Sequence, residues 1–597
     1  MKVGIEIHQR LDSDKLFCNC PSLPAEGTRA SVYRKQRAVA GELGKVDVAA
    51  AQEFMRKRRF LYEAPKNSSC LVESDDEPPH GMNERAVEIA IEICLLLEAK
   101  IVDEMQVMRK TVIDGSNTGG FQRTAIIGLD GKVRTSKGEV GIMSICIEEE
   151  SSGIIGEENG VAKFSLDRLG MPLIEIATDP TIVDGEHAQE VAEKLGAILR
   201  TTGKVQRGIG TIRQDLNVSI EGGARVEIKG AQELKLIRKM VETEAVRQKN
   251  LIAINEEIEK RFGGKPKFEG EIVDLTSVFS STESKLLKKV FELGGKALGL
   301  RLEKLKGLLG MNLCEGRRFG TELSDYAKAE SGVGGLIHSD EDFAKYAISE
   351  GEWGEVGKNL SVGPDDGFVI VADSEEKAKI ALEAVRKRAM STGVPKETRR
   401  ALPDGCSAYM RPLPGSARLY PETDVPPVRI TAGEIERIKK MLPPMPDERL
   451  RRLEARLGKE LAKKIFNTKE ELVFELVVNT NKKVEPQIVA VTLQDTVVNL
   501  RREGVKVDLI TVGHLQDLFV EYSNGLFVKA AIPEILKHMS LNLGSTCEET
   551  VGKLGLKKAS REELKKIIEE EGEDFGKIMK KHRLRVDAKE VKEIIGK

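Results

Sequence analysis

The sequence predicts a multidomain α+β protein, with a strand-rich amino-terminal half and a helical carboxyl-terminal end. Three observations carry this. The chain has 597 residues, more than a single hydrophobic core serves, so roughly three to five domains are expected. Short apolar runs in the first half carry polar residues at alternate positions, the period of strands with one polar face. From about residue 430 onward the apolar spacing becomes helical, with caps and stops at the ends of each run.

Composition narrows the class. Charged residues make up 32% and the net charge is −2, so a general basic field for nucleic acid is excluded and any RNA contact must rest on local positive charge. No apolar run approaches the roughly 20 residues of a membrane span. The chain opens directly in a strand pattern, Val3-Gly4-Ile5-Glu6-Ile7, rather than in a signal peptide. Eight scattered cysteines read as reduced thiols. A cytoplasmic protein with no membrane attachment is expected.

In residues 1–16, Glu6 and His8 share one strand face. They suit two metal ligands, a ligand and its orienting partner, or a hydrogen-bonded structural pair. Cys18-Asn19-Cys20 follows, with Cys70 and His80 further on. A structural zinc site wants four such ligands in paired spacings, so zinc and ordinary buried thiols both remain open. Arg56, Lys57, Arg58 and Arg59 beside Phe60 and Tyr62 form a basic patch with aromatics, suited to RNA or simply solvated. Residues 83–99 read as a largely buried helix. The Gly/Ser/Thr/Asn-rich run 108–124 can present backbone N–H groups to phosphate, but lacks the spacing of a P-loop or dinucleotide fingerprint.

The stretch from Ile145 to Pro180 is the most informative. It opens on Glu148, Glu149 and Glu150, and places Glu175 inside the apolar strand Pro172-Leu173-Ile174-Glu175-Ile176-Ala177. Burying an unpaired carboxylate costs at least several kcal/mol, so Glu175 needs an arginine, a metal or a network. A salt bridge to Arg168 and a metal or catalytic role are both consistent with that need. An amphipathic helix then runs through Ala188, Val191, Leu195 and Leu199 to a stop at Gly203. Two further strands alternate polar residues: Arg213, Asp215 and Asn217 in one, Glu227 and Lys229 in the next. Several strands with mixed acids and bases on one face suggest the floor of a polar cleft.

These segments, in this order, resemble the B/E subunits of tRNA-dependent amidotransferases: VGIEIHQRLDSDKLFCNC, EEESSG, SLDRLGMPLIEI, RQDLNVSI and VEIKGAQEL. The match covers residues 1–250 closely. It departs at Glu150, where the family has Asp, and at Gly230, where it has Asn. The resemblance implies a mixed β-sheet cradle, the catalytic domain, built from residues 1–280 and 401–430. Residues 281–400 look like the α+β insert of bacterial-type aspartyl-tRNA synthetases, which marks the archaeal E branch. A helical domain (431–515) and a tRNA-binding tail domain (516–597) follow.

In that family His8, Glu148 and Glu175 match positions that hold Mg²⁺. Glu6 and Asp215 complete an acidic wall with room for a second divalent ion. Arg168, Arg213, Asn217 and Lys229 are candidates for contacts to ATP. The activity implied is ATP-dependent conversion of glutamyl-tRNA(Gln) to glutaminyl-tRNA(Gln) through a phosphorylated side chain. No glutaminase or amidase signature is evident, so ammonia must come from an asparaginase-like D subunit, in a heterodimer or heterotetramer. A non-catalytic tRNA-binding scaffold is the alternative. A synthetase is disfavoured because no class I or II synthetase motif is evident.

Overall fold

The structure is a computed structural model; it describes residues 1–41, 44–56, 58–158, 160–415 and 418–596. Lys57 of the basic patch lies outside the described residues. The chain divides into two compact units, Met1–Pro443 and Pro444–Lys597.

The first unit is built on an eleven-stranded sheet. Its main path runs Ser407–Pro412, Glu397–Ala401, Val226–Lys229, Ile212–Ser219, Lys2–Arg10, Pro172–Thr178, Gly138–Glu149, Phe121–Thr135, Val107–Thr111 and Leu419–Pro421. Along this path neighbours are antiparallel except Val226–Lys229 with Glu397–Ala401, so the sheet is mixed as expected. The amino-terminal strand is central because it alternates strictly. Val3, Ile5 and Ile7 are buried in one face, while Glu6 and His8 lie on the other. The apolar face joins Ile174, Ile176, Ile145, Ile147, Leu216 and Val218 in one core with the helices Glu84–Leu96 and Gly185–Thr201. Asn83 and Asp184 cap these helices by accepting hydrogen bonds from Ala86 N and His187 N.

The helix Gly185–Thr201 packs on the 29-residue helix Leu234–Phe262. They approach closely at Gly185, where a Cβ would lie 2.6 Å from the Arg238 carbonyl oxygen. Gly185→Ala therefore forces the helices apart and is expected to destabilise the unit by about 1–3 kcal/mol, read as a lower urea midpoint with an unchanged slope.

The long helix serves two cores. Ile237, Met240 and Val241 belong to the core under the large sheet. Leu251, Ile254 and Ile258 belong to a second core with Leu298, Leu300, Val369, Leu323 and Leu382. That second core lies against an antiparallel sheet ordered Ile272–Asp274, Lys296–Leu302, Gly367–Asp373, Ile337–His338, with the helices Phe319–Ser331 and Glu375–Met390 packed together beside it. The sheet thus includes a strand, Ile272–Asp274, that lies ahead of the boundary at 281 read from the sequence. A buried ionic network ties it to the large sheet. Arg247, Arg388 and Arg399 converge on Glu322 at 2.9, 3.3 and 3.1 Å, with Glu244 and Glu397 also facing Arg247.

The basic patch is not an aromatic docking face. The strand Arg59–Pro65 turns Phe60 and Tyr62 into a small core with Phe164 and Leu166, while Arg56 and Arg58 pair with Glu53. Within the strand, alternation sets Arg59 on the face opposite Phe60 and Tyr62, while Arg56 and Arg58 precede it.

The second unit is helical. Its larger core runs from Leu453 to Leu556, through the 515/516 division expected from the sequence, and a smaller one joins Ala559, Leu564, Ile568, Ile578, Val586 and Val591. Met445 occupies the N-cap of Pro446–Leu457, and Asp447 lies in its first turn. Ser560 and Glu563 form a capping box. Between Pro486 and Gly504 the helix is interrupted by a π-turn at Thr492–Thr496. No helix among the described residues is long and apolar enough to cross a membrane.

Candidate active site

The polar face of the large sheet forms the floor of a cavity of about 580 Å³, within the usual range of small-molecule sites. Register brings the floor together. His8 stands opposite Glu175 on one side and Arg213 on the other, and Glu6 stands opposite Asp215. Asn217 is opposite Glu227, and Glu148 is opposite Leu173. Of the residues expected from the sequence, Glu6, His8, Glu148, Glu175, Arg213, Asp215, Asn217 and Lys229 all line this cavity.

Two acidic clusters result. His8, Glu148 and Glu175 each place a ligand atom within 4.8 Å of the others, and so do Glu6, Asp215 and Glu227. In the first, His8 Nε2 lies 3.0 Å from Glu175 Oε2, Lys110 Nζ donates to Glu148 at 2.6 Å and to Glu175 at 3.4 Å, and Gln122 donates to Glu148. In the second, Lys229 donates to Asp215 at 2.9 Å and faces Glu227 at 3.2 Å, Gly230 N donates to Asp215, and Asn217 donates to Glu6 at 3.0 Å. Since Gly230 acts through its backbone, the change from Asn there leaves this contact intact.

The environments push the acids apart. Burial opposes charge on Glu175, but Lys110 and His8 outweigh it and hold its pKa well below the usual range. Asp215 is likewise lowered, Lys229 and His8 overcoming burial. Glu6 is raised, first by burial and then by Glu175 and Glu227. Burial also opposes charge on His8, yet its hydrogen bond to Glu175 and the fields of Glu175, Asp215 and Glu148 leave its pKa raised.

The three consecutive glutamates have separate destinations. Glu148 faces the cavity. Glu149 accepts from Arg123 N at 2.9 Å. Glu150 is buried and clamped by Arg10 at 2.9 Å, Arg213 at 2.8 Å and Arg168 at 3.4 Å. Arg168 is therefore the partner of Glu150, not of Glu175, and it does not line the cavity. Sequence proximity suggested the pairing with Glu175, but the turn at 166–171 aims the guanidinium elsewhere.

Residues 1–436 match the family model described as the GatB/GatE catalytic domain, and residues 472–571 match that of the GatB domain. The chain belongs to the GatB/GatE family. It is 43% identical to the E subunit of the glutamyl-tRNA(Gln) amidotransferase of Methanocaldococcus jannaschii, over 100% of this chain and 98% of that protein. It is 46% identical to the protein of that name in Pyrococcus abyssi (96% and 90% covered) and 43% to that of Aeropyrum pernix (100% and 97% covered).

In this GatB/GatE chain the cavity also contains Lys110, Arg411 and Arg418, which the sequence reading did not assign to the site. Lys110 lies in the Gly/Ser-rich run, which also contributes Val112, Asp114, Ser116 and Gln122 to the lining. Arg418 donates to the Thr111 carbonyl. A single arginine in a loop carries no pattern that would reveal it.

A third cluster lies apart from the cavity. Cys18, Cys20, Cys70 and Glu73 place ligand atoms within 4.8 Å. Cys18 Sγ lies 2.8 Å from Glu73 Oε1, and Cys70 N donates to Glu73 Oε2. Its hydrogen bond with Cys18 brings the Cys70 thiol down to about 7. His80, the fourth ligand considered from sequence, pairs with Glu77 instead.

Proposed function

We propose that this chain is the kinase and transamidase subunit of a glutamyl-tRNA(Gln) amidotransferase. The observation that supports this most directly is the convergence of His8, Glu148 and Glu175, from three separate strands, on the floor of one cavity that also holds Arg411 and Arg418. The names of its relatives and the family of residues 1–436 agree with it.

A side-chain carboxylate is a poor electrophile because its oxygen is a poor leaving group. In this reading the glutamyl carboxylate attacks the γ-phosphorus of ATP and ADP leaves. Ammonia then adds to the acyl carbon of the phosphorylated glutamate and phosphate departs. The two carboxylates and one imidazole of the first cluster fit a hard divalent cation, Mg²⁺, or Mn²⁺ given the nitrogen ligand. The all-carboxylate second cluster fits a second ion of the same kind. A bound cation supplies charge neutralisation for the transferring phosphoryl group. Arg213, Lys229, Arg411 and Arg418 offset phosphate charge at the walls, and Asn217 holds Glu6 in place.

Ammonia comes from a partner subunit of the asparaginase-like D type. The inserted α+β region corresponds to the aspartyl-tRNA-synthetase-like insert, and the helical unit to the part that embraces tRNA. The three thiols and Glu73 fit a structural zinc ion in donor number and type.

The test is direct. The full chain with glutamyl-tRNA(Gln), ATP, Mg²⁺ and free ammonia is expected to form ADP and glutaminyl-tRNA(Gln) without a partner. Binding of the tRNA with no ATP turnover would make the chain a scaffold.

A further inference from the structure

Lys110 has no role in the chemistry above, yet it is the most intimately placed cation in the site. It stands on the strand Val107–Thr111, two strands away from Glu148, with Gln122 as its register partner on the strand between. Its ammonium reaches past Gln122 to donate to Glu148 Oε1 at 2.6 Å and Glu175 Oε2 at 3.4 Å. The same Glu175 oxygen faces His8 Nε2 at 3.0 Å. Among the described residues, Lys110 is the one cationic side chain that hydrogen-bonds both carboxylates, and its side chain is only 17% exposed.

Two carboxylates this close repel each other, and in a buried site that repulsion is weakly screened. An ammonium between them balances the charge. It also occupies one oxygen of each acid, Glu148 Oε1 and Glu175 Oε2, in competition with a cation held by Glu148, Glu175 and His8.

We propose that Lys110 is a positioning residue that competes with the divalent cation for Glu148 and Glu175, keeping the two acids together before the cation binds and setting the concentration at which it does. This rests on the metal assignment made under Proposed function. It predicts that the site fills only when the cation displaces an internal ammonium, and that the lysine's stem then carries its charge out toward the cavity.

The experiment is Mn²⁺ binding to the full chain, followed by electron paramagnetic resonance, in the wild type, K110M, K110Q and K110R. Removing the competitor in K110M or K110Q is expected to tighten Mn²⁺ binding by about tenfold or more, whereas K110R stays within about threefold of the wild type. Thermal midpoints give a second readout. K110M and K110Q should melt below the wild type in chelator and recover the deficit in Mn²⁺, a pattern a purely structural lysine would not give. Equal or weaker Mn²⁺ binding in a folded K110M or K110Q overturns the proposal and leaves the metal assignment standing. Absence of Mn²⁺ binding in all four folded proteins removes the metal assignment, and the competition with it.

Discussion

Glu175→Gln is expected to lower ATP-dependent amidation by on the order of 10³-fold, while affinity for glutamyl-tRNA(Gln) changes by less than about twofold. The reason is local. Glu175 takes the His8 imidazole at 3.0 Å and the Lys110 ammonium at 3.4 Å, and these partners keep it ionised against burial. An amide in its place carries no charge for a cation and presents an N–H₂ group where an acceptor is required. Single-turnover ADP formation with a nitrocellulose binding assay reads both quantities. Undiminished ADP formation in this variant would remove Glu175 from the site.

The second large effect is on stability. Glu322→Gln should cost about 3–5 kcal/mol, because it leaves Arg247, Arg388 and Arg399 buried around a neutral amide. In the wild type burial opposes the Glu322 charge, but Arg399, Arg247 and Arg388 outweigh it and its pKa is lowered. A carboxyl lowered on folding stabilises above its unfolded pKa, near about 4.3, and that contribution is lost as pH falls toward the folded value. Wild-type stability should therefore decline steeply below about pH 4, and the decline should be shallower in Glu322→Gln. Urea titrations of both proteins between neutral and acid pH measure this. Identical slopes would show that Glu322 does not govern the acid limb.

Much of the site was legible in the sequence because strands convert spacing into direction. Glu6 with His8, Arg213 with Asp215 and Asn217, and Glu227 with Lys229 each sit two apart, so each set had to share a face. That these faces coincide is a matter of register, which alternation alone does not fix. The resemblance in five ordered segments supplied it. What escaped notice depended on reach or on loops. Lys110 acts from two strands away because its stem is long, and Arg418 comes from a connection with no periodicity. Arg168, one of the partners considered for Glu175, meets Glu150 instead, because closeness along the chain says little about where a long side chain ends in a turn.

The fold's outline was legible for the same reason. The buried-helix pattern of residues 83–99 and the amphipathic spacing from Ala188 to the Gly203 stop located two of the covering helices. The limits of the second α+β region were not, since its first strand, Ile272–Asp274, is only three residues long and pairs with a segment further along the chain.

The 29-residue helix Leu234–Phe262 has a practical corollary for anyone dissecting this molecule. Excising residues 281–400 would strip Leu251, Ile254 and Ile258 of their cover and leave a greasy half-rod in water. A soluble minimal catalytic fragment has to retain the whole buttress or redesign that rod's far end with polar side chains.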